Sequence, residues 1–116
     1  MPLDEDRLPT AEDFQVMRAA YEAVAPDPSH FEEFAAKNSK MVHEVPGWSH
    51  EQLRSLRLPT LLIVGDRDFS PLTDVLETFG LLPNAQLAVL PGTTHVGVSR
   101  RSGEVLTLIR PFLDGN

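Results

Sequence analysis

Pro59-Thr60-Leu61-Leu62-Ile63-Val64-Gly65-Asp66-Arg67-Asp68-Phe69-Ser70-Pro71 is the stretch from which the fold can be read. Thr60–Val64 is an unbroken run without polar alternation, stopped by Gly65, and Gln86-Leu87-Ala88-Val89-Leu90 is a second such run, stopped by Pro91-Gly92. Runs of this kind predict strands covered on both faces, as in a parallel sheet. Between them, Ser70-Pro71 reads as an N-cap with proline at the first helical position. The helix it opens carries Val75, Leu76 and Phe79 and is expected to stop near Gly80. A last helix is expected after Gly103, with Val105, Leu106, Ile109, Phe112 and Leu113 facing inward. Strand, helix, strand, helix makes a right-handed parallel crossover unit over 59–116. The fold class is α/β.

The preceding half, 1–58, has helical rather than strand periodicity. Thr10 and Asp13 sit at the N-cap and third position of a helix, and Phe14, Met17, Tyr21 and Val24 follow on one stripe. Pro26 and Pro28 end that helix. Ser29 and Glu32 read as a second capping box, ahead of Phe31, Phe34, Ala35, Met41 and Val42 on a common face. Pro46-Gly47 breaks the chain again, and Ser49 and Gln52 cap a short helix with Leu53 and Leu56. This half holds 11 acids and 6 bases, against 6 acids and 4 bases in the second half. At 116 residues the whole is expected to form a single domain, 1–116.

Both strands end in residues that can exchange protons. In open α/β sheets ligands bind beyond the carboxyl ends of the strands. Here those ends run into Asp66-Arg67-Asp68 and into Gly92-Thr93-Thr94-His95. If the strands are neighbours, their ends lie about 5 Å apart, and a carboxylate meets an imidazole. The carboxylate then holds the ring by one nitrogen and leaves the other to take a proton.

Taken together, Gly65-Asp66-Arg67-Asp68 and Leu90-Pro91-Gly92-Thr93-Thr94-His95-Val96-Gly97 resemble the end of an α/β-hydrolase. In that family the seventh strand delivers the acid, commonly three residues after a glycine, and the eighth delivers the histidine. Gly65 to Asp68 has that spacing, and Asp68 precedes His95 by 27 residues. The helices before residue 58 resemble the family's cap segment and the helix leading into the seventh strand. The resemblance implies the C-terminal part of an α/β-hydrolase fold, with a small parallel sheet, flanking helices and a helical cap segment. It also implies hydrolysis of a small ester-like or related acyl substrate, with Asp68 and His95 as the acid and the base.

The chain departs from the family at the nucleophile. Family members order their triad Ser…Asp/Glu…His, with the serine in a Gly-x-Ser-x-Gly elbow and oxyanion donors nearby or upstream. None of the seven serines here (29, 39, 49, 55, 70, 99 and 102) lies in such an elbow. The expectation is therefore a truncated hydrolase, inactive alone because nucleophile and oxyanion hole are missing. A non-catalytic, oligomerising interaction module is the alternative reading.

Simpler roles stand beside these. Asp68 would also serve as the cap of the following helix, and Asp66 is the competing acid. Trp48, Met41, Val42 and Phe69 would line an acyl pocket or pack in the core. His43, Glu44 and His50 lack His-Glu-x-x-His spacing and are interrupted by Pro46-Gly47, which argues against zinc. No cofactor is expected. The absence of cysteine excludes thiolate metal ligands, disulfides and a cysteine nucleophile. A net charge of −7 disfavours a nucleic-acid partner. With no long apolar run, a soluble cytoplasmic protein with no membrane span is expected. An unpaired edge on the strand at Leu61–Val64 would template further pairing, so a homo-oligomer is expected.

Overall fold

A computed structural model of the chain describes residues 4–44 and 47–115. Its contacts divide into two compact units, Pro9–Trp48 on one side and Met1–Leu8 with Ser49–Asn116 on the other. The helical half, 1–58, is thus shared between them.

Pro9–Trp48 is a helix pair. Helix α1 (Ala11–Val24) opens on the expected capping box: Thr10 Oγ1 accepts from the Asp13 amide, and the Asp13 carboxylate accepts from the Thr10 amide. Helix α2 (Phe31–Glu44) follows a 3-10 turn at Pro28–His30. The Ser29–Glu32 capping box is not what starts it. Asp27 lies two residues earlier and takes both the Ser29 amide and the Ser29 hydroxyl, so Ser29 is a donor here. A carboxylate accepts two such bonds more readily than a hydroxyl does. Phe31 is buried, with the Tyr21 ring edge-on at 5.6 Å and the Arg18 guanidinium 4.9 Å from its centroid. The rest of the expected stripes is largely open: Phe14, Phe34, Met41 and Val42 are exposed, and Val24 is 84% exposed. The expected break at Pro46 lies outside the described residues.

In the other unit, helix α3 (His50–Ser55) begins with the expected Ser49–Gln52 capping box. Strand β1 (Thr60–Gly65) and strand β2 (Ala85–Leu90) pair in parallel, Thr60 opposite Ala85 through Gly65 opposite Leu90. Helix α4 (Leu72–Leu81) connects them, and helix α5 (Ser102–Leu113) closes the chain. Helix α4 packs on β2 and α5 on β1. Ser70 does not cap α4: Pro71 occupies the N-cap position, and the Ser70 amide is bonded to Asp68 instead. Leu82 and Leu90 are buried, but Leu61–Val64 are only half-buried, and Leu76, Leu106 and Leu113 are exposed. The strands are therefore not covered on both faces within this unit. Two short helices on a two-stranded sheet leave apolar surface that a deeper layer would enclose. Among the described residues no helix is long and apolar enough to cross a membrane.

Candidate active site

The crossover sends two loops out from the same end of the sheet, and their geometry begins at Gly65. A Cβ built on Gly65 would lie 1.9 Å from the Thr93 carbonyl oxygen. Glycine therefore permits the loop after β2 to rest directly on the end of β1. Hydrogen bonds lock this approach: the Asp66 amide donates to the Leu90 carbonyl (3.0 Å) and the Arg67 amide to the Thr93 carbonyl (2.9 Å). Thr93 is only 2% exposed. Its hydroxyl donates to the Pro91 carbonyl at 2.8 Å, closing the turn in which Gly92 takes φ +58°.

Two residues past Thr93 the chain presents His95. Its Nδ1 is 2.9 Å from Asp68 Oδ2, so the structure brings together the two residues that the sequence singles out. A carboxylate only accepts, which makes Nδ1 the protonated nitrogen and leaves the Nε2 lone pair outward. The Asp68 side chain is 10% exposed and that of His95 56% exposed. The carboxylate is thus enclosed and the imidazole open to solvent. The other Asp68 oxygen, Oδ1, accepts from the Ser70 amide at 2.9 Å. Turn closure and imidazole binding are shared between the two oxygens of one carboxylate. Phe69 lies against the imidazole, ring centroids 4.5 Å apart. Trp48, Met41 and Val42 are exposed residues of the helix-pair unit.

Asp66, the competing acid, has its Oδ1 3.4 Å from the Thr93 amide and takes part in loop closure. His50 pairs with Glu77 at 2.8 Å, and the His43 side chain lies outside the described residues. Among the described residues no three histidine or acidic side chains gather as a metal site.

Two features of the site escape local sequence reading. The segment around the 3-10 turn Glu5–Arg7 straps the acid loop: the Asp4 amide donates to the Phe69 carbonyl (2.9 Å), and Arg7 Nη1 to the Asp66 carbonyl (3.3 Å). Arg7 and Asp66 are 59 positions apart, so no periodicity or spacing announces the pairing. Arg101 is the second. Its Nη1 donates to the Pro91 carbonyl (2.7 Å) and to Thr93 Oγ1, while Nε and Nη2 grip Glu104. The Arg-x-x-Glu spacing at the start of a helix was a visible signal for the ion pair, though not for its reach into the histidine loop.

No protein-family model matches the chain, and no curated protein does. Among solved structures it is similar to the proline iminopeptidase of Mycobacterium smegmatis, with a TM-score of 0.53 and 22% identity over 90% of this chain and 42% of that one. It is also similar to VinJ, with a TM-score of 0.45 and 25% identity over 84% of this chain and 41% of that one. Both have the α/β-hydrolase fold, and this chain spans about two-fifths of their length. The small parallel sheet with its flanking helices is a part of that fold.

Proposed function

We propose that Asp68 and His95 are the acid and base of an α/β-hydrolase-type acyl hydrolysis acting on a small ester-like substrate. The observation that carries this reading is the 2.9 Å bond between the enclosed Asp68 Oδ2 and Nδ1 of the half-open His95 ring, between loops that leave adjacent parallel strands. With Nδ1–H committed to Asp68, Nε2 takes the proton of an attacking hydroxyl. The resulting imidazolium is stabilised by the Asp68 carboxylate and returns the proton to the leaving oxygen. A water, activated by the same nitrogen, then releases the acyl group.

The nucleophile is not among these 116 residues in its usual Gly-x-Ser-x-Gly setting. In the reading proposed here, the polypeptide is a hydrolase portion that supplies the proton-transfer half of a triad and is inactive alone. The isolated chain should hydrolyse p-nitrophenyl acetate no faster than an equal amount of free imidazole, and His95→Ala should leave that rate almost unchanged. Joined to a segment that supplies the serine elbow and oxyanion donors, it should hydrolyse the ester, and His95→Ala should then cost about 10²–10⁴-fold. Fast turnover by the isolated chain that His95→Ala abolishes would refute the inactive-portion reading. Indifference of the joined protein to His95→Ala would refute the catalytic assignment.

A second reading is favoured by the apolar surface. Leu72, Leu76, Val89, Leu106 and Leu113 are exposed around a sheet in which, among the described residues, each strand pairs along one edge only. We propose that this unit associates with a second copy of itself, whether or not the acid–base pair is used. The charge of −7 supports a partner that is not a nucleic acid.

A further inference from the structure

We infer that Arg101, gripped by Glu104, is a positioning residue that fixes the His95 ring against Asp68 by clamping the turn after β2. This rests on the Asp68–His95 reading given above and adds to it a residue that touches neither reacting group.

The turn Pro91–Thr94 carries His95 and is anchored from two sides. On its inner side, Thr93 is fixed to the acid loop through its carbonyl, bonded to the Arg67 amide, and its backbone against Gly65. Its outer side is the Thr93 hydroxyl and the Pro91 carbonyl, and Arg101 Nη1 bonds both at once. A primary guanidinium nitrogen has two hydrogens, so both bonds can be made together. Thr93 Oγ1 meanwhile donates its own proton to Pro91, so the three groups close a triangle.

Held at one end only, that guanidinium would swing. Glu104 prevents this by taking Nε and Nη2 on its two oxygens, which leaves Nη1 to point at the turn. Such a planar fork fixes direction as well as distance, which a lysine ammonium cannot reproduce. Arg101 is also well placed to act as a rigid post. Its amide donates to the Val98 carbonyl, and its own carbonyl accepts from Val105 in the first turn of α5. The 3-10 turn Val96–Arg100, which begins next to His95, thereby runs from the histidine to its own clamp. His95 itself is over half exposed, so packing alone does not hold the ring. Its orientation depends on where the backbone at Thr93–Thr94 is set.

The test reads which ring nitrogen of His95 bears the proton, because that nitrogen is selected by the partner it meets. In the ¹⁵N-labelled chain, at a pH where the ring is neutral, the expected spectrum has a protonated Nδ1 with a low-field proton resonance that Asp68→Asn removes. Arg101→Ala should lose that resonance and shift the ring toward the Nε2–H form, while the amide signals of β1 and β2 persist. Arg101→Lys should lose it too, and methylguanidinium added to Arg101→Ala should restore it. Glu104→Gln, a milder change, should weaken it. Full retention in Arg101→Ala or in Glu104→Gln would overturn the inference, and retention in Arg101→Lys would overturn the fork geometry on which it rests. If Arg101→Ala fails to fold, Glu104→Gln decides alone. A wild-type chain without a protonated Nδ1 would instead refute the Asp68–His95 reading itself, which separates the two failures.

Discussion

Gly65 has no side chain at the one place where the Thr93 carbonyl needs the space. Gly65→Ala would put a Cβ 1.9 Å from that oxygen and 2.6 Å from its carbon, and both are backbone atoms that cannot swing aside as the end of a flexible side chain would. Overpacking of this kind costs about 1–3 kcal/mol. The expected outcome is a lower denaturation midpoint together with loss of the Asp68–His95 hydrogen bond, since the loop that must shift carries His95; a midpoint equal to wild type would show the approach to be looser. Asp68 poses a different question, because its two oxygens have separate tasks. Asp68→Asn retains one acceptor and gains an amide donor; with its oxygen kept on the Ser70 amide, its NH2 faces Nδ1 and cannot accept that proton. The variant should keep its fold, by circular dichroism, while His95 loses the Nδ1–H form.

Helix ends are decided by side chains that bind neighbouring amides. In α1 the pair Thr10 and Asp13 satisfies two amides reciprocally, and in α3 Ser49 and Gln52 do the same. Thr10→Ala should cost about 1 kcal/mol, and Ser49→Ala a similar amount, measured by urea denaturation. Ahead of α2, Asp27 caps the 3-10 turn Pro28–His30, and Glu33 in the first turn of α2 pairs with the Lys37 side chain. The Ser29 hydroxyl and amide hold the Asp27 carboxyl below its usual range, and Lys37, 3.1 Å from Glu33, lowers that carboxyl likewise. A depressed carboxylic acid adds stability that is complete above its unfolded value and disappears as pH falls through its folded value. Helicity of the Pro9–Trp48 unit should therefore hold at neutral pH and decline on acidification below the ordinary carboxylate range. Both groups are exposed, so the effect should shrink in high salt. Circular dichroism across an acid titration at two salt concentrations measures this, and Ser29→Ala should weaken the acid sensitivity.

For the whole molecule, the amount of apolar surface left open is the dominant fact. Phe31, Leu82 and Leu90 are the buried hydrophobic residues, while fifteen large hydrophobic residues are exposed among those described, Trp48 at 77%. Scattered singly, such residues are ordinary, but an unfilled sheet with exposed helix faces favours association. Sedimentation at micromolar concentration should find a homo-oligomer, and Leu76→Glu or Leu106→Glu should shift it toward the monomer. A compact soluble monomer would rule the association out.

What could be read from residues alone was local in origin. The two apolar runs ended by Gly65 and Pro91-Gly92 specified parallel strands, because a strand needs only a run of suitable side chains and a stop. The capping boxes at Thr10 and Ser49 were legible for the same reason, their partners being three residues apart. Asp68 and His95 could be paired because parallel neighbours place the ends of their strands side by side. Caps were misread where a competing acceptor lay just outside the pattern: Asp27 took Ser29, and Asp68 took the Ser70 amide. Burial was misread more broadly, since apolar runs announce that a surface would gain by being covered but not that a layer exists to cover it. Only the tertiary structure decided the rest. Arg7 reaches Asp66 across 59 positions, Thr93 enters the space left by Gly65, and Arg101 closes on Pro91 and Thr93. These contacts join segments through geometry set by the completed crossover, and a sequence carries no periodicity for a distance that exists only after the chain has folded.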